Sequence, residues 1–193
     1  MQQRVAFRPI ASLAFLPSSI PPLRSNSTIA YAFFLAVLCS DQGHAEEPSW
    51  EQLQNIPLWA SAVLGSAPFS DPYVFSNRLN PFLLQGDFNG DSRLDLAILV
   101  QQKKSGAAGL VVIHAGASGF HVIGAGTAVG NGGDDFSWMN AWNVFSKSPV
   151  PLGADSSSVP ELRGDALRVQ KLESASGIIY WDGSSYQWYQ QGD

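Results

Sequence analysis

Within the β run 94–102, the sequence LDLAILV is apolar at nearly every position, bounded by a polar turn before it and by Gln101-Gln102 and Lys103-Lys104 after it. A short unbroken apolar run of this kind predicts a strand covered on both faces, the centre of its sheet. Shorter β runs at 82–85, 109–114 and 120–123 surround it, separated by glycine-bearing turns, and together they read as an antiparallel meander. Further on, 166–172 alternates, with Leu167 and Val169 on one face and Arg168 and Gln170 on the other. The runs 178–181 and 186–190, joined through Asp182-Gly183, predict a hairpin dense in Tyr and Trp and hence a second antiparallel unit.

The rest of the chain is patterned differently. Residues 46–66 begin with acids and place Trp50, Leu53 and Ile56 three apart, which predicts a short amphipathic helix ended near Pro57, with Trp59, Val63 and Leu64 continuing it as a second turn. The stretch 66–81 carries Pro68, Pro72 and Pro81 and reads as an irregular connector packed through Phe69, Tyr73 and Phe75. Five glycines between 124 and 133 predict a loop led by its backbone, and 134–142 fits helix or strand equally well. A Pro- and Ser-rich connector, 148–160, follows. The expected fold is mainly β, a β-rich α+β domain: a small antiparallel sheet with a loop between two strands, a short N-terminal helix and a C-terminal aromatic hairpin. No repeat at 20–50 residues appears, so the chain is not a complete propeller.

Residues 1–45 form a separate region, with Arg4, Arg8 and Arg24 and no acid before Asp41. The uncharged run IAYAFFLAVLC at 29–39, followed by Gly43-His44-Ala45, has the form of a signal peptide cleaved after Ala45. It falls short of the roughly 20 apolar residues that span a bilayer. Leu38 is bulky where a lipobox before Cys39 needs a small residue. The long n-region, with Pro21-Pro22, leaves a downstream start codon and an organellar transit peptide as alternatives. The reading places 46–193 as one domain, periplasmic or secreted, with no transmembrane segment.

Composition sharpens this picture. The 193-residue chain is 45% hydrophobic and 11% aromatic, enough for a core. Without the leader, its 11 Lys and Arg fall to 8 and its 16 acids to 15, a net charge of −7 with no basic cluster beyond Lys103-Lys104, which argues against nucleic acid. Cys39 is the single cysteine, so the domain holds no disulfide and gains from another staple, for which a metal ion is the natural candidate.

Such a site is legible in GDFNGDSRLDLA, residues 86–97. Asp87, Asn89, Asp91 and Asp95 put side-chain oxygens at positions 1, 3, 5 and 9 of one turn, the hard donor set that Ca2+ takes in six- to eight-fold coordination. An EF-hand is excluded by Ser92 at position 6, by Ile98 at position 12 and by the strand that follows. The stretch resembles the calcium loop of FG-GAP and VCBS-type repeats, which joins two strands of a propeller blade. Separately, the C-terminal YWDGSSYQWYQQGD, residues 180–193, resembles a group of short exported bacterial proteins that carry a single such loop, a likeness that brings no activity with it. The loop's resemblance implies Asp87, Asn89, Asp91 and Asp95 as side-chain ligands of a structural Ca2+, with Arg93 giving its backbone carbonyl. It spans about 20 residues and carries a site rather than a fold. Ser92, where the pattern has glycine, departs from it.

Other residues invite chemistry less sharply. Asp134 and Asp135, ahead of Trp138, Asn140 and Trp142, suggest either a polysaccharide hydrolase or a sugar-binding surface. The plainer reading is a capped turn followed by core aromatics. His114 and His121 flank one turn and could face each other, but two ligands do not make a zinc site. No G-x-S-x-G elbow accompanies the serines. Arg163-Gly164-Asp165 reads as a turn. The tail aromatics Tyr180, Trp181, Tyr186, Trp188 and Tyr189 alternate, as suits one core face and one face for a protein or glycan partner. The expected role is a non-enzymatic, calcium-binding module, with a hydrolase using Asp134 or Asp135 as the alternative.

Overall fold

The computed structural model describes residues 56–153 and 158–192. The signal peptide expected at 1–45 and the helix expected around Trp50 and Leu53 lie outside them. The first described element, α1 (Leu58–Leu64), starts directly after Pro57, where a proline's missing N–H costs the helix nothing. A one-turn helix α2 (Ala67–Ser70) follows with Pro68 in its first turn. The strands are β1 (Tyr73–Phe75), β2 (Leu83–Gly86), β3 (Asp95–Gln102), β4 (Ala108–Ile113), β5 (His121–Gly124), β6 (Ala141–Phe145), β7 (Ala166–Lys171), β8 (Ala175–Trp181) and β9 (Tyr186–Gly192).

They form two antiparallel sheets. In the first, β3 pairs with β4 along one side, and β4 with β5 beyond it. The other side of β3 is shared: β2 covers its N-terminal half, from Gly86 opposite Asp95 to Leu83 opposite Ile98, and β1 covers its C-terminal half. The second sheet is the meander β6-β7-β8-β9. The fold is therefore mainly β, with two short helices among the described residues and no closed barrel. Strand 73–75 is an addition to the sequence reading, and 141–145 resolves as strand by pairing with β7.

The alternation of β3 and β4 divides the core. Ala97 and Leu99 lie opposite Val112 and Leu110 and, with Ile123, face Trp142, Leu167, Val169 and Ile179 of the second sheet. The other face, Leu96, Ile98, Val100, Val111 and Ile113, is covered by Ala60, Val63, Leu64 and Phe69 from the helices. Both faces are thus buried, as the apolar run of β3 requires, and each fully buried Leu, Ile or Val contributes about 1.5–3 kcal/mol. A smaller cluster of Val150, Leu162, Ala166, Ile178 and Tyr189 closes the outer side of the second sheet.

The glycine-rich loop has a packing reason. A Cβ at Gly130 or Gly132 would meet the Trp188 side chain at 2.7 or 2.8 Å, and one at Gly177 would collide with the same indole at its six-membered ring. Trp188 is clamped between bare backbone, with Phe136 and Trp138 edge-on beside it. Those glycines create the volume into which one large aromatic fits.

Candidate metal centre

The loop 87–94 joins β2 to β3, and its acidic groups are fully engaged with its own backbone. Asp87 Oδ1 accepts from the N–H groups of Gly90 (2.8 Å) and Asp91 (2.9 Å), and Oδ2 accepts from Ser92 N–H (2.9 Å). Asn89 Oδ1 accepts from Asp91 N–H, Asn89 Nδ2 donates to Asp91 Oδ2 at 3.2 Å, and Asp91 Oδ1 accepts from Arg93 N–H. These are Asx turns laid end to end, curling the chain around its own carboxylates. Gly90 (φ 82°) and Ser92 (φ 68°) both lie in the left-handed region. The position where Ser92 replaces glycine keeps the conformation that glycine favours, and serine carries its steric cost.

Asp95 differs from the others because it is completely buried. Its Oδ2 accepts from Phe88 N–H (3.0 Å) and Asn89 N–H (3.2 Å), and its Oδ1 from Ala115 N–H (2.8 Å) at the end of β4. Burial pushes this carboxyl up to about 6, outweighing the downward pull of the three N–H donors, and Asp91 adds to the rise. Next to it, Phe88 is fully buried in the core between the sheets, so the middle of an otherwise polar turn is nailed down by an aromatic ring.

The donor set suits a hard cation in kind: three carboxylates and one amide oxygen within nine residues, and among the described residues no ion pair offsets their charge. In the present rotamers these side chains point to backbone N–H groups, and among the described residues no three acidic, imidazole or thiolate groups converge on one point. Coordination by Asp87, Asn89, Asp91 and Asp95 requires side-chain rotation within the loop. The Arg93 guanidinium leans onto Gly116, where a Cβ would come within 2.6 Å of Nη1.

A second segment buttresses the loop. Asp165 N–H donates to Asp87 O (2.6 Å), Asp87 N–H donates to Asp165 Oδ2 (3.1 Å), and Lys147 N–H donates to Asp165 Oδ1 (2.9 Å). Asp165 thus ties the loop to the chain on either side of the 148–160 connector. Gly164 lies flat on the loop, since a Cβ there would collide with Asp87 O and approach Gly90 N to 2.6 Å. The tripeptide read as a turn is a brace for the acidic loop. Its sequence signal was only the glycine.

The two histidines do come together. Their ring centroids are 4.7 Å apart, Trp181 is 4.9 Å from each, and Tyr186 completes the cluster, its hydroxyl 2.8 Å from His114 Nε2. Burial lowers both imidazole pKa values, most strongly in effect for the protonated ring; Asp91 opposes this at His114, and His114 adds to it at His121. Burial also raises the Tyr186 phenol, with Asp95 adding to it. An imidazole whose folded pKa is depressed stabilises the fold fully above the unfolded value of about 6.5 and loses that contribution as pH falls below it. Asp95, raised to about 6, acts in the opposite sense over part of the same range. The clean measurement is therefore an NMR titration of the two imidazoles. Both midpoints are expected below about 6.5, and a midpoint above it would mean that the cluster is open to water.

Of the residues suggested for a sugar surface, Asp135 caps the 3-10 turn Phe136–Trp138 through Ser137 N–H (2.9 Å) and also accepts from Ala108 N–H (2.9 Å). These N–H bonds hold its carboxyl below the usual range, the reverse of a general acid. Asp134 is exposed, and its carbonyl accepts from Gly126 N–H. Trp142 is buried, its indole N–H donating to Pro81 O at 2.6 Å, and the half-buried Trp138 donates to Gly132 O. Trp142 therefore offers no face to a ligand. Arg78 closes the same turn by donating to Phe136 O and Met139 O.

The chain matches no known family model, no curated protein and no solved structure. Among the described residues no helix is long and apolar enough to cross a membrane.

Proposed function

We propose that this protein is an exported, non-enzymatic binding or structural module stapled by one calcium ion in the loop 87–95. The observation that carries the reading is Asp95: a fully buried carboxylate in a turn with two further carboxylates and no cationic partner among the described residues. Asp87, Asn89, Asp91 and Asp95 would hold the ion through side-chain oxygens, and Arg93 through its backbone carbonyl. When bound, calcium supplies the positive charge that offsets the crowded carboxylates. The loop's similarity to FG-GAP and VCBS-type repeats supports the same assignment. Export, to the periplasm or outside the cell, is read from residues 1–45.

A thermal melt of the protein with about 1 mM calcium against a chelator tests this. An ion at 100 times its dissociation constant adds about 2.7 kcal/mol, which for a domain of this size raises the midpoint by roughly 5–10 °C. Asp87→Ala is expected to abolish the shift. Equal midpoints with and without calcium would reduce the loop to a self-bonded acidic turn.

A further inference from the structure

A cavity of about 630 Å³ opens between the acidic loop, the brace and the β8–β9 hairpin. Its size suits one or two sugar rings. Leu162, which is buried, and the half-buried Tyr180 line it together with the loop residues Asn89 and Gly90. Lys147 and Arg163 line it too, and neither side chain has a hydrogen bond or an ion pair with any described residue. Asp182 is already committed: its carboxylate accepts from Ser184 N–H, Ser185 N–H and Gln187 Nε2, and those bonds hold it down at about 2. The negative charges of Asp182 and Glu161 balance the positive charges of Lys147 and Arg163 among the described lining residues, and Glu161 is the acid whose side chain has no hydrogen bond with a described residue.

The chemistry of these walls is selective. An aromatic ring offers a surface for the C–H face of a sugar, and an amide and a carboxylate take hydroxyl groups. A guanidinium matches a carboxylate in two-point geometry. Arg163 is held for that task, because its guanidinium lies along Gly183, where a Cβ would come within 2.9 Å of Cζ, while its backbone abuts Gly90. We infer that this cavity binds an acidic sugar, a uronic-acid residue of a polysaccharide, with its carboxylate on Arg163 and Lys147 and its ring against Tyr180. The inference rests on the reading of the chain as a binding module and names the ligand class of that module. Because the Asp165 carboxylate accepts from the backbone N–H groups of both Lys147 and Asp87, the cavity wall and the acidic loop are one mechanical unit.

The test is calorimetric titration of the calcium-saturated protein with a galacturonic-acid trisaccharide, with a neutral glucose trisaccharide as control. Saturable binding of the acidic sugar alone is expected, weakened roughly ten-fold or more by Arg163→Ala or Lys147→Ala, the loss of one charged hydrogen bond. Both residues are exposed, so thermal midpoints should stay unchanged and certify the fold. No saturable binding, equal binding of the neutral sugar, or affinity indifferent to both substitutions would overturn the assignment. The calcium melt on the same samples separates the two readings: a calcium shift without sugar binding removes the cavity assignment alone, and sugar binding without a calcium shift removes the metal alone.

Discussion

Alanine at Gly164 is expected to lower stability by about 2–4 kcal/mol, the range of an overpacked site that cannot relax without breaking backbone bonds. The added methyl would occupy the position of Asp87 O and crowd Gly90 N. Relief requires moving the 163–165 segment off the loop, which breaks the two hydrogen bonds between Asp87 and Asp165, one backbone to backbone and one backbone to carboxylate. Gly119 is the matched control, because nothing lies within 4 Å of the corresponding position and its φ is ordinary. Gly119→Ala should stay within about 0.5 kcal/mol of the parent. Denaturant unfolding of the two variants decides the matter: equal midpoints would mean that the brace carries no load.

Truncating Phe88 to alanine is expected to cost about 3–5 kcal/mol, the usual loss for a fully buried aromatic. Phe88 lies between two ligand candidates, Asp87 and Asn89, yet packs in the core with Ala97, Leu99 and Leu167. Its ring also lies 2.9 Å from where a Cβ at Gly86 would be, so the strand end and the ring are fitted to each other. The variant should lose calcium response along with stability, since Phe88 N–H and Asn89 N–H both donate to Asp95. Chemical denaturation followed by far-UV circular dichroism measures the first effect and the calcium melt the second. A loss below about 1 kcal/mol would place the ring in solvent.

How much of this was legible in the sequence depends on how local each determinant is. β3 was plain because covering both faces of a strand demands an unbroken apolar run, and 96–100 supplies one. β1 was hidden: three residues between prolines have no periodicity of their own, and they become strand only because β3 is long enough to leave half of one side unpaired by β2. β6 was ambiguous for the same reason, its state being set by β7 more than twenty positions later. The glycine loop announced its freedom but not its purpose, since Trp188 is remote in sequence.

The site divides along the same line. Asp87, Asn89, Asp91 and Asp95 stand at alternate positions of one turn, so their spacing alone exposed them. Asp165 and Ala115, which complete the hydrogen bonding, come from segments distant in sequence, just before β7 and just after β4, and left no trace beside the motif. The pairing of His114 with His121 across one turn was readable, while Trp181 and Tyr186 reach them from the far hairpin. The capping role of Asp135 was readable as the plainer of two options, and the geometry of Ser137 and Ala108 agrees with it.

The tie between Asp87 and Asp165 spans 78 positions, and that between Asp95 and Ala115 spans 20. Contacts so distant along the chain form after the local hairpins, because the entropy of closing the intervening loop opposes them until both sheets exist. An interaction absent from the folding transition state leaves the folding rate alone and slows unfolding instead. An ion seated in this loop would act as a latch on the finished structure, lengthening the lifetime of the native state without hastening its arrival. For an exported domain of the kind proposed, with no cysteine after Cys39, resistance to transient opening is the property that limits attack by proteases.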